Sequence, residues 1–277
     1  MIFDQPYGAD VDYPTDGSVA LGGTKAYLNS KTVTALARSR INNTYSVHGG
    51  LRAETINGNI NLDGGAYGPL AGYNVQLDGD TAYGYSVGGA FERNDIALRI
   101  AVTYHSSIEH NFDTTENGTQ SPTTTVNTPQ AMNLEFQSGV AADTLVFGSV
   151  RWADYSELKV SPADFSLATE GASLTNIEDS LSYKIGVGRK FSDAFSGSLS
   201  VGYQVAADSD LVSPLAPKNG GYAVALGGKY TFDSISFSGG IQYIVLGDAK
   251  TKTKNDKSAV FIDNSAVAVG LKVGYNY

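Results

Sequence analysis

The stretch FIDNSAVAVGLKVGYNY, residues 261–277, limits what this chain can fold into more than any other. Val267, Val269, Leu271, Val273, Tyr275 and Tyr277 recur at every second position, and Ala266, Ala268, Gly270, Lys272, Gly274 and Asn276 lie between them. A strand has period two, so one face is continuously apolar and the other is small or polar. The final strand of an outer-membrane β-barrel needs that division, with one face on lipid and the other on a polar lumen. The terminal aromatic also looks like the signal read by the outer-membrane barrel assembly machinery, an expected partner during biogenesis.

The same alternation recurs upstream. Phe195, Leu199, Val201, Tyr203 and Val205 oppose Ser196, Ser198, Ser200, Gly202 and Gln204. Tyr222, Val224 and Leu226 oppose Ala223, Ala225 and Gly227, and Ile100 and Val102 oppose Arg99 and Ala101. The strands pair across short turns: 33–41 with 44–56, 80–92 with 95–112, 130–141 with 144–157, 179–191 with 194–206, and 220–232 with 235–248. The final strand covers 262–277, and a kinked extended piece at 72–78 leads into the strand at 80. Long polar connections are expected at 57–71, 113–128, 158–178, 207–219 and 249–261. Strict alternation of short turns and long loops is the asymmetry of a transmembrane barrel. The fold class is therefore all-β, an antiparallel outer-membrane barrel with about 11–12 strands present.

Composition agrees where it bears on this. The chain has 17 Tyr and 32 Gly, which suits aromatic girdles and tightly packed strands, and no Cys, which excludes disulfides and thiolate metal sites. A net charge of −9 argues against a nucleic-acid partner. No cofactor or metal is called for.

Three stretches resemble one family: IFDQPYGADVDYP at the start, TALARSRINNTYSVHGGLRAE, and AYGYSVGGAFERNDIALRIAVTYHSSIEHNF. They look like the FadL/TodX outer-membrane transporters for long-chain fatty acids and aromatic hydrocarbons. The resemblance implies a 14-stranded barrel plugged by an N-terminal hatch, a hydrophobic ligand bound inside, and sideways release through an opening in the wall. It implies passive uptake and no enzymatic activity, with a porin for polar solutes and a structural or adhesin barrel as the alternatives. The opening residues lack the features of a signal peptide. The sequence therefore reads as N-terminally truncated, with residues 1–31 a remnant of an upstream strand and extracellular loop and 32–277 the barrel. A shortened barrel using 15–29 as a twelfth strand is the alternative.

Arg52, Arg99, Lys184 and Lys229 fall on lumen-facing positions, as do Glu92 and Glu135. Arg52, Arg99, Lys184 and Glu92 are the candidate ligand-binding set, with Arg52 or Arg99 gripping a fatty-acid carboxylate bidentately; the alternative is a lumen salt-bridge network. Lys250, Lys252, Lys254 and Lys257 crowd the last long loop. They are candidates for lipopolysaccharide phosphate contact, with a solvated loop as the plain alternative. His105 and His110, five positions apart, would point to opposite faces of a straight strand and could not act together.

Overall fold

A computed structural model describes residues 1–207, 211–251 and 259–275. Its strands are β1 (Ile2–Asp4), β2 (Gly8–Asp12), β3 (Lys25–Arg40), β4 (Tyr45–Leu62), β5 (Tyr73–Arg93), β6 (Leu98–His105), β7 (Ile108–Glu116), β8 (Thr119–Thr128), β9 (Ala131–Ala141) and β10 (Thr144–Ala153). A short helix, α1 (Ala163–Thr169), precedes β11 (Ser180–Lys190), β12 (Phe195–Gln204), β13 (Leu211–Val212), β14 (Gly221–Phe232), β15 (Ile235–Leu246), β16 (Ala249–Thr251), β17 (Val260–Phe261) and β18 (Ser265–Tyr275). The main antiparallel sheet runs β1-β3-β4-β5-β6-β9-β10-β11-β12-β14-β15-β18, twelve positions in the barrel wall. Among the described residues β18 pairs with β15 alone.

Register follows from the alternation, because a one-residue slip would exchange the faces. Ile185, Val201, Val224, Tyr243 and Val267 form one cross-strand row, all exposed outward. The adjacent row, Gly186, Ser200, Ala225, Gln242 and Ala268, faces the lumen. Aromatic residues bracket the apolar band: Tyr183, Tyr203 and Tyr222 pair directly at the long-loop end, and Phe195, Tyr230 and Phe237 at the short-turn end. Phe195 and Tyr203 are eight residues apart, roughly 26 Å along a strand and about 20 Å in height at a ~40° tilt, close to the apolar height of a membrane barrel.

The turns at Ala142-Asp143 and Asp233-Ser234 form as expected, with positive φ at Asp143 (57°) and Asp233 (48°), which Asp tolerates. Several other boundaries differ. The strand expected from 33 begins at Lys25, so 25–29 belong to β3 itself and not to a separate twelfth strand. The piece at 72–78 is the first part of the 21-residue β5, joined through a bulge where the register passes from Ile56↔Asp80 to Gly58↔Leu77. The expected strand 95–112 breaks at Ser106-Ser107, where the Tyr85 amide donates to Ser106 Oγ and the Ser106 amide to the Tyr85 carbonyl.

The polar connection expected at 113–128 is instead the far part of the β7–β8 hairpin, turned at Asn117-Gly118. Its threonines are β-branched, which suits strands. Thr114, Thr124 and Thr128 are buried alternately, and Thr114 Oγ1 donates to Thr124 Oγ1. The 158–178 connection carries α1, and β13, β16 and β17 form a small separate sheet among the last two long loops.

Candidate ligand cavity and lumen

Beyond the level of Tyr83, toward the long-loop end, the inner wall turns apolar. Ala26, Ile56, Ile60, Val75, Leu77, Phe112 and Val126 converge there, roofed by Val160, Phe165 and Leu174 from the α1 connection and by Leu215. Between these groups lies a cavity of about 670 Å³, within the size range of small-molecule sites.

The roof is fixed by Glu116 at the tip of β7. This fully buried carboxylate accepts from Tyr73 Oη (2.6 Å), from the amides of Asp164 and Phe165 (both 3.0 Å) and from Ser121 Oγ. Burial alone would raise its pKa, but those donors outweigh it and hold the group below the ordinary glutamate value. Burial, reinforced by the hydrogen bond to Glu116, pushes the Tyr73 hydroxyl well above the usual phenol range.

Polar groups also line the cavity, among them Arg151, His110, Glu178, Asp179 and Lys218. Arg151, on the inward face of β10, lines it and is exposed. Its Nη1 donates to Asn133 Oδ1 at 2.8 Å, and it makes no ion pair among the described residues. His110 also lines it, fully buried, with Nδ1 2.9 Å from Asp80 Oδ2 and Nε2 3.5 Å from Glu54 Oε1. The bulge in β5 turns Asp80 toward it, a re-aiming that bulges commonly produce.

The sequence candidates are dispersed. Arg52 is buried against Glu54, 3.1 Å away, and Glu54 also accepts from Thr32 Oγ1 at 2.8 Å. Arg99 contacts Glu92 at 3.2 Å and Glu135 at 3.8 Å, and Glu92 is shared with Arg38 at 2.6 Å. Arg52 pairs with Gly84 and Arg99 with Glu92, so the two levels are separated by eight residues of β5, roughly 26 Å. The two arginines cannot hold one carboxylate together. Lys184 stands over the Phe147 ring, 5.7 Å from its centroid. Lys250 lies in β16, whereas Lys252, Lys254 and Lys257 lie outside the described residues.

The histidine reading needs correction. The break at Ser106-Ser107 resets the parity, so His105 and His110 both face inward, with His105 hydrogen-bonded to Ser86 and Asn133. Arg151, His110, Glu54 and Glu116 were missed as site residues. Strand parity alone could have offered Arg151 and Glu54, but nothing local marked Glu116, since its stretch reads as a loop.

The wall beside the cavity is interrupted. β1 pairs with β3 at 32–34 and β2 at 25–29, and between them Gln5-Pro6-Tyr7 leaves the ladder. Pro6 has no amide to donate. The Ser30 hydroxyl replaces the ladder there, accepting from the Tyr7 amide (2.9 Å) and donating to its carbonyl (2.6 Å). Pro6, Tyr7, Gly8 and Ala9 line the cavity at this break.

A family model described as outer membrane protein transport protein (OMPP1/FadL/TodX) matches residues 3–277. The chain belongs to the FadL/TodX family. This family's proteins are outer-membrane β-barrels of Gram-negative bacteria that transport hydrophobic compounds, and they are transport proteins rather than enzymes. Among solved structures, a FadL homologue from Pseudomonas aeruginosa shares the fold at 14% identity and a TM-score of 0.73, covering 99% of this chain and 74% of that one. The toluene transporter TodX of Pseudomonas putida matches at 11% identity and a TM-score of 0.63, covering 99% and 78%. The toluene transporter TbuX of Ralstonia pickettii matches at 12% and 0.64, covering 99% and 77%. No match is found among curated proteins.

Proposed function

We propose that this chain admits hydrophobic small molecules passively, binding them in the loop-end cavity and releasing them to the lumen or sideways through the break at Pro6. The substrate class we favour is a long-chain carboxylic acid. Its tail would lie on Ile56, Ile60, Leu77 and Phe112, and its carboxylate on Arg151. The observation that carries this is ion pairing: Arg151 lines the cavity and makes no ion pair among the described residues, although Glu178 and Asp179 share that lining, whereas Arg52 and Arg99 are already neutralised by Glu54, Glu92 and Glu135. An arginine can grip a carboxylate through two parallel hydrogen bonds. In this reading Arg52, Arg99, Glu92 and Lys184 line the route below the cavity.

A second reading, an uncharged aromatic hydrocarbon, is favoured by the apolar lining and by the toluene transporters among the similar structures. Titration with a fluorescent fatty acid and with toluene as competitor separates the two. Arg151→Ala should weaken the acid on the order of a hundredfold and leave toluene competition unchanged. Equal binding of the acid to both proteins would support the hydrocarbon. Liposome swelling with sugars tests the porin alternative. Outer-membrane lipid, lipopolysaccharide and the barrel assembly machinery are the further partners of this reading, with Lys250 and its neighbours the proposed phosphate contact.

A further inference from the structure

The connection between β10 and β11 is built as a module of its own. The Val160 amide donates to Ser173 Oγ (2.9 Å), the Leu174 amide to the Val160 carbonyl (2.8 Å), and Thr175 Oγ1 to the Leu158 carbonyl (2.6 Å). These bonds close residues 158–175 into a compact flap with α1 inside it. One side of the flap is apolar: Leu158 and Val160 line the cavity, and the Phe165 ring packs 5.3 Å from that of Tyr73. The stretch from Thr175 to Asp179, which leads back to the wall, lines the same cavity. The flap is hydrogen-bonded to the β7–β8 hairpin through Glu116, whose two oxygens take the amides of Asp164 and Phe165.

We propose that residues 158–175 are a lid over the cavity, and that Glu116 is its catch. Apolar contact seats the lid without fixing its orientation, because dispersion and burial are non-directional. Two charge-assisted hydrogen bonds to backbone amides are directional and define one closed position. Tyr73 and Ser121 hold the carboxylate in place from β5 and β8, so the catch is rigid before the lid arrives. Opening breaks these two hydrogen bonds and brings the buried Glu116 carboxylate and the two amides to water, which replaces them. The internal bonds of the lid survive the movement, which therefore needs no local unfolding.

The proposal rests on the cavity being the ligand's site, and the test keeps the two apart. The chain contains no Cys, so an introduced pair is unique. Ser121→Cys with Asp164→Cys places a thiol on each side of the catch, and a short reducible bis-thiosulfonate linker would tie the lid shut. Stopped-flow binding of cis-parinaric acid to the full chain in detergent is the readout. The linked protein should bind at least roughly tenfold more slowly, and reductant should restore the rate. Glu116→Gln should accelerate both entry and release severalfold, with little change in affinity. Unchanged rates in the linked protein, or a Glu116→Gln variant altered in melting temperature but not in its entry and release rates, would overturn the lid. Absence of binding to the unmodified chain would instead overturn the cavity as the site.

Discussion

Arg52, Arg99 and Arg151 share inward parity and differ in company, and company decides what each can do. Arg52 and Glu54 neutralise one another in a buried setting, with side chains 8% and 0% exposed. Removing one partner leaves a buried charge uncompensated, so Arg52→Ala should lower stability by roughly 3–5 kcal/mol, read as a fall in the unfolding midpoint in detergent. A change below about 1 kcal/mol, the value of an exposed pair, would show that water reaches Glu54. Glu116 makes a second prediction, through pH. Its folded pKa lies below its ordinary value of 4.5. A depressed carboxylate contributes stability that is fully present above the unfolded pKa and is lost as pH falls through the folded one. Docking of residues 158–175 should therefore be constant at neutral pH and weaken progressively below about pH 4.5. Hydrogen exchange at the Asp164 and Phe165 amides follows it directly. Glu116→Gln should remove that dependence.

At the scale of elements, what could be read depended on whether a pattern stays on one straight strand. Residues 195–205 and 222–232 do, so their faces and turns were legible from period two alone. The run from 95 to 112 does not. Two serines at 106 and 107 interrupt it, and the parity of His110 reverses as a result. The hairpin at 113–128 was hidden for a different reason. Its inward residues are mostly Thr and Glu (Thr114, Glu116, Thr124 and Thr128, with Val126 the apolar one), because they face a buried hydrogen-bonded layer and not lipid. The legible signal there was Asn117-Gly118. Gly118 has φ of +78°, and a Cβ added to it would meet nothing within 4 Å. Gly118→Val should therefore cost backbone strain alone, roughly 1–2 kcal/mol, without displacing any neighbour. The expected outcome is faster exchange of the β7–β8 amides, with the β11–β15 wall unaffected. A cost near zero would mean that the turn adopts another conformation. Glu116 was illegible for the same reason as its hairpin: its role depends on an amide pair that arrives from residues 164 and 165.

The whole molecule is a wall whose two faces meet different solvents, and this governs which substitutions it tolerates. The eight positions expected to meet lipid, Ile100, Val102, Leu199, Val201, Val224, Leu226, Val267 and Leu271, are all exposed, between 40% and 86%. In a water-soluble protein so much exposed apolar surface would invite aggregation, whereas in a bilayer it is the matched surface. The lumen side is built from Ser, Gly and Ala at the same height, and Arg38 and Arg99 pair there with Glu92 across strands. Neighbouring residues on one strand should therefore respond oppositely to one substitution. Val201 is 49% exposed on the outward row, and Ser200, beside it, is buried on the inward row. Val201→Arg puts a guanidinium into hydrocarbon near the middle of the apolar band and should cost roughly 2–4 kcal/mol in bilayer folding titrations. Ser200→Arg meets a polar lumen with Ala225 and Gly186 beside it and should cost well under half of that, mainly through crowding. The ratio of the two costs is the informative quantity, because it cancels the host's overall stability. Equal costs would mean that the two faces do not meet different solvents, and a larger cost at Ser200 would mean that the wall is turned inside out.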